Sequence, residues 1–324
     1  MIYKDNWRHA DDQKHFGNAL LPPNAPFRNG KRHLIPPTCL IPRSNISFAQ
    51  TFLGVDRQQF SRVLHLMDRR SFLTMCMMLP FARSAGAAAL SPWPRGYVSL
   101  AYDDGLSSQL DIAAPQLEAA GFRGTFYVTW DNISDRAAEW AALAKRGHEL
   151  ANHTMTHPCD LQDQAVGSFR ERQIDPLEHW LAKVEGTSRD GDFAYPCDVT
   201  DLGPGNPNQQ ARRFARLLRG AGIRSARTSE GPPNSARWAE HAPYRLHALA
   251  LGYDTQGLSE VRDYIEEAVR RKDWAILVIH EIGKGARSDG FISPAEHSEL
   301  VAMISAMKVP CGTVQSAFHA SNSL

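Results

Sequence analysis

From Tyr97 onward, short apolar runs alternate with longer segments that are apolar on one face only. The apolar runs are "YVSLAY", "GTFYVTW", "HELAN", "DFAYP", "IRSART", "RLHALAL" and "AILVIHE". Runs of this length predict buried strands, and the amphipathic segments between them predict crossover helices, including a long one over residues 164–185. The alternation therefore predicts an α/β fold with parallel strands.

The number of strand–helix units bears on how the sheet closes. Roughly seven units within about 230 residues fit a barrel better than a small open sheet. A doubly wound open sheet is the alternative, because alternation alone does not separate the two. Near the C-terminus, "GTVQSA" predicts a further short strand. Residues 90–324 are therefore expected to form the folded domain.

Residues 1–66 have a different composition from the rest of the chain. Their stretch "LLPPNAPFRNGKRHLIPPTCLIPR" is rich in proline and has neither helical nor strand periodicity. Such a composition predicts irregular structure. We interpret this segment as an upstream extension without a folded role.

Residues 67–89 have the sequence "MDRRSFLTMCMMLPFARSAGAAA". They combine paired arginines, a short apolar run and an alanine-rich end. Arg69 and Arg70 before this run resemble a twin-arginine export signal, which predicts a periplasmic or secreted protein starting at Met67. The apolar run is too short to span a bilayer comfortably, so no stable membrane span is expected. The alternative is a core helix that begins at Met67 in a cytoplasmic protein.

The overall charge excludes one class of partner. The chain has 36 basic and 35 acidic residues and a formal charge of +1, so it lacks the basic excess of a nucleic-acid-binding protein. Five cysteines form no CxxC framework. Cys159 is near enough to meet Cys197, but the spacing does not indicate a disulfide. The sequence carries no signal for oligomeric state.

Carboxylate and imidazole side chains follow two of the predicted strands. Asp103 and Asp104 end the first strand, and His153 and His157 follow the third. Ligands bind at the carboxyl ends of parallel strands, and an aspartate with two histidines is a common ligand set for zinc. The four-residue spacing of the histidines predicts one helical turn, which Pro158 ends. These residues predict a divalent metal site.

Four motifs in this order, "AYDDG", "HELANHTMTHP", "FAYPCD" and "LVIHEIG", resemble those of the polysaccharide deacetylases, carbohydrate esterase family four. The resemblance extends from Tyr97 to near the C-terminus. It implies a distorted (β/α) barrel of about seven strands. It also implies a metal-dependent hydrolase that removes acetyl groups from an N-acetylated sugar polymer or oligosaccharide. An acetylated carbohydrate is the implied partner.

The resemblance assigns a role to each motif residue. Asp104, with His153 and His157, would bind the divalent metal, zinc first, with cobalt, nickel or manganese as alternatives. Asp103 would act as general base towards a water activated by the metal. His280 would act as general acid for the leaving group.

The third motif departs from the family pattern, since many members have Arg-Pro-Pro-Tyr-Gly where this chain has Ala-Tyr-Pro-Cys-Asp. The backbone N–H of Cys197 is expected to bind the oxyanion, with Tyr195 and Trp130 expected towards the substrate. For Trp130, buried packing is the alternative. The missing arginine normally orients the base, and Arg224 or Arg227 is the candidate to replace it.

Other polar residues receive weaker assignments. Asp254 is the candidate acidic partner of His280. Asp273 and His148 precede their strands and are expected at the opposite end of the sheet. His297 is expected on a solvated helix face.

Two other functions use the same residues. An O-acetyl carbohydrate esterase would have the same site. A carbohydrate-binding pseudoenzyme is favoured by the missing arginine and opposed by the retained aspartates and histidines.

Overall fold

Seven parallel strands form the central sheet of this computed structural model, which describes residues 91–186, 190–253 and 255–321. Their order is β5-β4-β3-β2-β1-β7-β6, and a separate pair, β8-β9, lies beyond β7 in the chain. The strands are β1 (Tyr97–Asp104), β2 (Thr125–Val128), β3 (Glu149–Asn152), β4 (Gly191–Ala194), β5 (Ile223–Arg227), β6 (Leu249–Ala250), β7 (Trp274–Ile279), β8 (Glu281–Ile282) and β9 (Phe291–Ile292).

Helices connect the strands, as the alternating pattern predicts. They are α1 (Ala114–Ala119), α2 (Trp130–Ile133), α3 (Ala137–Lys145), α4 (Val166–Phe169), α5 (Asp175–Glu185), α6 (Pro207–Gly220), α7 (Ala236–His241), α8 (Leu258–Arg271), α9 (Pro294–Met307) and α10 (Val314–Ser321). Two π-helical segments, Gln109–Ala113 and Arg170–Ile174, lead directly into α1 and α5. The long helical stretch predicted before β4 is confirmed.

The two edges of the sheet meet at Leu246, which precedes β6. Leu246 pairs in parallel with Arg227 at the end of β5. The Leu246 N–H donates to the Ala226 carbonyl over 3.0 Å, and the Thr228 N–H donates to the Leu246 carbonyl over 3.1 Å. The sheet therefore curls into a distorted (β/α) barrel, and the predicted fold class is confirmed.

Both faces of the sheet are buried, which explains why a central strand such as β7 is a continuous apolar run. Alternate residues of β1 belong to different hydrophobic clusters. Leu100 and Tyr102 pack beneath the helices. Ala101, between them, packs with Tyr127 and Ile276. The second cluster has many alanines, among them Ala101, Ala151, Ala194, Ala248 and Ala250. These small side chains fill the interior of the curled sheet.

The segment "GTVQSA" was predicted as a strand, and that prediction is wrong. Val314–Ser321 forms α10, and the Thr313 hydroxyl accepts the Ser316 N–H over 3.1 Å at its first turn. A threonine in this position satisfies a backbone donor that the helix itself leaves unpaired. This local cap, together with burial of Val314 and Phe318, favours a helix over an extended strand.

His297 was predicted on a solvated face, and that prediction is also wrong. Its side chain is fully buried, as are those of Leu300 and Ile304 on the same helix, α9. The Tyr102 hydroxyl lies 2.8 Å from Nε2, and Gln116 Oε1 lies 2.6 Å from Nδ1. A neutral imidazole satisfies both contacts by accepting from the hydroxyl and donating to the amide oxygen.

Burial lowers the pKa of His297 to about 4. An unfolded histidine titrates near pH 6.5, so between these values the unfolded chain binds more protons. The resulting stability is present above about pH 6.5 and is lost as the pH falls towards 4, on the order of 3 kcal/mol. We expect chemical denaturation at pH 7 and pH 4.5 to show a smaller pH dependence for His297→Gln than for the unmodified chain.

The matched control is His241→Gln, because the His241 side chain is exposed. It should retain the pH dependence of the unmodified protein. An equal pH dependence for both variants and the unmodified chain would contradict the assignment to His297.

Asp273 and His148 lie at the starts of their strands, as expected. Asp273 precedes β7 and accepts from Arg271 over 2.9 Å. His148 precedes β3, and its Nδ1 accepts the Gly124 N–H over 3.1 Å. Both therefore lie at the end of the sheet opposite the motif residues.

The predicted extension over residues 1–66 and the export signal over 67–89 lie outside the described residues. Across the part of the chain that the structure describes, no helix combines the length and apolar character that a membrane crossing requires.

Candidate active site

Asp104, His153 and His157 converge beyond the carboxyl ends of β1 and β3. Nε2 of His153 lies 3.5 Å from Oδ1 of Asp104, and Nε2 of His157 lies 3.4 Å from the same oxygen. One ligand atom from each residue lies within 4.8 Å of the other two. The structure thus brings together the three residues that the sequence predicts as metal ligands.

The two histidines are not on a helical turn, so that part of the prediction is wrong. Residues 153–157 form an irregular loop in which Thr154 and His157 have φ values of 72° and 52°. The Thr154 N–H donates to Oδ1 of Asn152 over 2.8 Å, and the Thr154 hydroxyl accepts the His157 N–H over 3.0 Å. These short-range hydrogen bonds replace helical ones and fold His157 back towards His153.

The donor set fits a single divalent cation. Nδ1 of His153 hydrogen-bonds to the Ala194 carbonyl over 2.9 Å, so Nε2 is the nitrogen that faces Asp104 and would bind a metal. Ligands about 2.1 Å from a tetrahedral ion lie about 3.4 Å apart, close to the observed 3.4 and 3.5 Å. One carboxylate and two imidazoles suit zinc and related ions, and they leave coordination positions for water or substrate.

The side chains of this set perturb one another. Burial acts to raise the pKa of Asp104, but the His153 hydrogen bond and the imidazole charges outweigh it and hold this pKa well below the usual range. Burial acts to lower the pKa of His153, but the Asp104 hydrogen bond and the Asp103 charge raise it overall. For His157, burial dominates and lowers the pKa.

Asp103 is buried inside the barrel, where it pairs with Arg227. The Arg227 guanidinium donates to Oδ1 of Asp103 and lies over the Tyr127 ring, 4.2 Å from its centroid. Because β5 neighbours neither β1 nor β2 in the sheet, these contacts cross the interior of the barrel. Of the two candidate arginines, Arg227 is therefore the one that contacts Asp103, whereas Arg224 pairs with Asp192 over 3.1 Å.

The surroundings of Asp103 favour its ionised form. Burial alone acts to raise its pKa, but the Arg227 guanidinium and the His153 and His280 imidazoles together outweigh burial and lower it. Asp103 is therefore a carboxylate at neutral pH, which is the state that a general base requires.

Gln109 connects the strand ends that carry Asp103 and His280, and sequence reasoning missed it. Its buried Nε2 donates to the backbone carbonyl of Asp103 and, over 2.9 Å, to that of His280. A glutamine that opens a helical segment has no distinguishing sequence signal. Its function depends on contacts with β1 and β7 that only the fold brings together.

His280 follows β7 and lies beside Tyr253. The two rings pack edge to face with centroids 5.1 Å apart. Nδ1 of His280 is buried and has no hydrogen-bond partner among the residues described. Asp254, the predicted acidic partner, lies outside the described residues.

Tyr253 was not singled out from the sequence. Its side chain is 50% exposed, although it is large and aromatic. Its hydroxyl donates to the Asp289 carbonyl over 3.2 Å, and the nearby Asp104 charge contributes, after burial, to raising its pKa. Tyr253 thus places an open aromatic surface beside His280 and Asp104.

The three residues expected at the oxyanion and substrate positions lie in different surroundings. Cys197 follows β4 with a φ of 53°. The Tyr195 side chain is buried, and its hydroxyl donates to the Tyr244 carbonyl over 3.1 Å. The ring therefore packs in the core. The Trp130 ring is partly buried, with its centroid 5.6 Å from that of Trp180, and the Trp130 backbone N–H donates to the Thr154 carbonyl over 3.3 Å.

Cys159 and Cys197 form a disulfide, which the sequence did not indicate. The bond joins the segment after His157 to the segment after β4. Sγ of Cys159 also lies 3.9 Å from Nδ1 of His157. The sulfur pair is therefore next to the candidate metal ligands.

Residues 91–197 match the sequence model of a family described as polysaccharide deacetylase. Similar solved structures include a CE4 family pseudoenzyme from Bacillus anthracis, 12% identical over 69% of this chain and 66% of that one, with a TM-score of 0.44. The CE4 domain of a multidomain xylanase from the hindgut metagenome of Trinervitermes trinervoides is 17% identical over 70% of this chain and 92% of that one, with a TM-score of 0.46.

The peptidoglycan deacetylase PdaC from Bacillus subtilis is 16% identical over 71% of this chain and 93% of that one, with a TM-score of 0.43. Comparison with proteins of curated function gives no significant match. The family model confirms, over residues 91–197, the resemblance of this chain to the polysaccharide deacetylases.

Proposed function

We propose that this protein is a metal-dependent hydrolase that removes acetyl groups from an N-acetylated sugar polymer or oligosaccharide. The observation that carries the proposal is the convergence of Asp104, His153 and His157 at the spacing of ligands around one ion. Asp103 and His280 lie close enough to this set to influence its charges. Zinc is the first choice of cation, with cobalt, nickel or manganese as alternatives.

When bound, a divalent cation supplies Lewis-acid chemistry, which polarises a carbonyl and makes water more acidic. Asp103 takes a proton from the attacking water through the carboxylate oxygen that Arg227 does not hold. Arg227 fixes the orientation of this carboxylate across the barrel interior. This arrangement gives the base a defined direction and a stable negative charge before the reaction begins.

The proposed hydrolysis forms one bond to the acetyl carbon and breaks another. The water oxygen forms a bond to the acetyl carbon, and the backbone N–H of Cys197 donates to the resulting oxyanion. His280 donates its proton to the leaving nitrogen as the carbon–nitrogen bond breaks. The products are acetate and the free amino sugar.

Two other functions make different predictions. An O-acetyl carbohydrate esterase would use the same groups with an oxygen leaving group. The argument for a carbohydrate-binding pseudoenzyme was the missing arginine of the third motif, and Arg227 now occupies the position beside Asp103. The pair therefore favours a catalytic protein over one that only binds sugar.

Acetate release separates these functions. We expect the protein to release acetate from N-acetylated oligosaccharides, to lose this activity after chelation and to regain it with zinc. Release from O-acetylated xylan alone would identify the esterase. Sugar binding without acetate release from either substrate would contradict a hydrolase.

Tyr253 is proposed to contact a sugar ring, because its open aromatic face lies beside His280. Aromatic rings bind the apolar faces of sugars by stacking. We expect Tyr253→Ala to raise KM for the oligosaccharide roughly 10-fold, equivalent to about 1.4 kcal/mol. Tyr253→Phe keeps the ring and should stay near the original KM. Equal KM values for all three proteins would contradict this contact.

We also propose export to the periplasm or cell exterior through the twin-arginine-like segment around Arg69 and Arg70. Replacement of both arginines by lysine is expected to retain the protein in the cytoplasm, as measured by fractionation and immunoblotting. The matched control is Arg83→Lys, which leaves the arginine pair intact. An unchanged periplasmic yield of the double variant would contradict this route.

A further inference from the structure

The two ring nitrogens of His157 lie near different groups of ligand atoms. Nε2 lies 3.4 Å from Oδ1 of Asp104, within the metal set described above. Nδ1 lies 3.9 Å from Sγ of Cys159. His157, Cys159 and Cys197 each offer one ligand atom within 4.8 Å of the other two. His157 therefore belongs to two clusters of metal-ligating side chains.

The second cluster is accessible from solvent. Cys159 and Cys197 are both exposed, and His157 is partly exposed. The remaining cysteine that the structure describes, Cys311, is partly buried elsewhere, and burial raises its pKa to about 12. An external reductant and a metal ion can thus reach the Cys159–Cys197 pair far more readily than Cys311.

The oxidation state decides whether this cluster can bind a metal. In the disulfide, neither sulfur is a thiolate, the form in which cysteine ligates metals. A dithiol reductant transfers two electrons and two protons to the disulfide and itself becomes a disulfide, leaving two thiols on the protein. Metal binding then releases the thiol protons, and the two thiolates select soft ions such as Cd²⁺ or Zn²⁺.

Each cysteine lies next to a hydrogen bond that does not involve the disulfide. Before Cys159, the His157 N–H donates to the Thr154 hydroxyl over 3.0 Å. After Cys197, the Asp198 carboxylate accepts the Ser229 N–H over 2.7 Å. Reduction therefore leaves both thiols in segments whose backbones are fixed locally.

We propose that the dithiol form of this protein has a second metal site, formed by Cys159, Cys197 and Nδ1 of His157, for a soft divalent cation. The disulfide form lacks this site and leaves His157 to the Asp104 set alone. The redox state of one cysteine pair thereby determines whether His157 serves one ligand set or two. This inference concerns metal binding and holds whether or not the protein is a hydrolase.

Cadmium titration tests the proposal in a full-length chain carrying Cys39→Ser, Cys76→Ser and Cys311→Ser, so that only the pair remains. We expect the reduced chain, freed of reductant under anaerobic conditions, to bind one more equivalent of Cd²⁺ than the oxidised chain. Ultraviolet absorption from thiolate-to-cadmium charge transfer should appear only in the reduced chain.

Two further variants make the result decisive. Adding Cys159→Ser should remove both the extra equivalent and the absorption. Adding Asp104→Ala instead should remove the equivalent bound by the oxidised chain and retain the one that requires reduction. Equal cadmium stoichiometry in the reduced and oxidised chains, or charge-transfer absorption that survives Cys159→Ser, would overturn the second site.

Discussion

Asp104→Ala is expected to lose bound metal and deacetylase activity together, whereas Asp103→Asn is expected to keep the metal and lose activity. Asp104 contributes the oxygen to which both imidazole nitrogens are close, so its removal leaves two neutral ligands. Asp103 is held by Arg227 on the interior side. Loss of a general base lowers kcat by roughly 100-fold or more. Metal analysis and acetate release on each purified variant measure the two effects.

The control for these substitutions is Asp111→Asn, an exposed carboxylate that pairs with Arg136. It should retain both the metal and the activity. Equal loss of metal from the Asp103 and Asp104 variants would show that the two aspartates share one role.

Arg227→Met is expected to destabilise the protein by about 3–5 kcal/mol, because it leaves the buried Asp103 carboxylate without its partner. Both side chains are almost fully buried, at 2% and 5% exposure. Adding Asp103→Asn to this variant removes the unpaired charge and should restore a large part of the loss. Urea denaturation of the two single variants and the double variant measures this coupling.

Arg136→Met provides a surface comparison, since Arg136 pairs with exposed Asp111 and Glu139. Its loss should cost less than about 1 kcal/mol. If Arg227→Met cost no more than Arg136→Met, or if the Asp103 and Arg227 effects simply added, the buried pair would not be a coupled unit.

The fold was predictable because its signals are local. Several strands, such as β7, are short and largely apolar, and helices such as α6 and α8 have an apolar stripe, so the alternation can be recognised without long-range information. The ligand set was predictable for a related reason: parallel strands place their carboxyl ends at one edge, so Asp104, His153 and His157 had to lie near one another.

The contacts of Arg227 depend on the curvature of the sheet, and those of Gln109 depend on the pairing of β1 with β7. The strand pattern encodes neither. Sequence reasoning offered Arg224 and Arg227 as equals, and only the crossing of the barrel interior distinguishes them. The histidine spacing suggested a helical turn, but the Asn152 and Thr154 side chains accept backbone N–H groups and stabilise a different backbone.

Gln109 links the backbone positions that carry the proposed base and the proposed acid. Asp103, the proposed base, and His280, the proposed acid, are far apart in the chain. The side-chain amide of Gln109 donates to the backbone carbonyl of each. Strands β1 and β7 pair directly as far as Tyr102 and Ile279, and Gln109 links the backbone one residue beyond that pair. The spacing of the proposed base and acid therefore depends on this side-chain link as well as on the backbone ladder of the sheet.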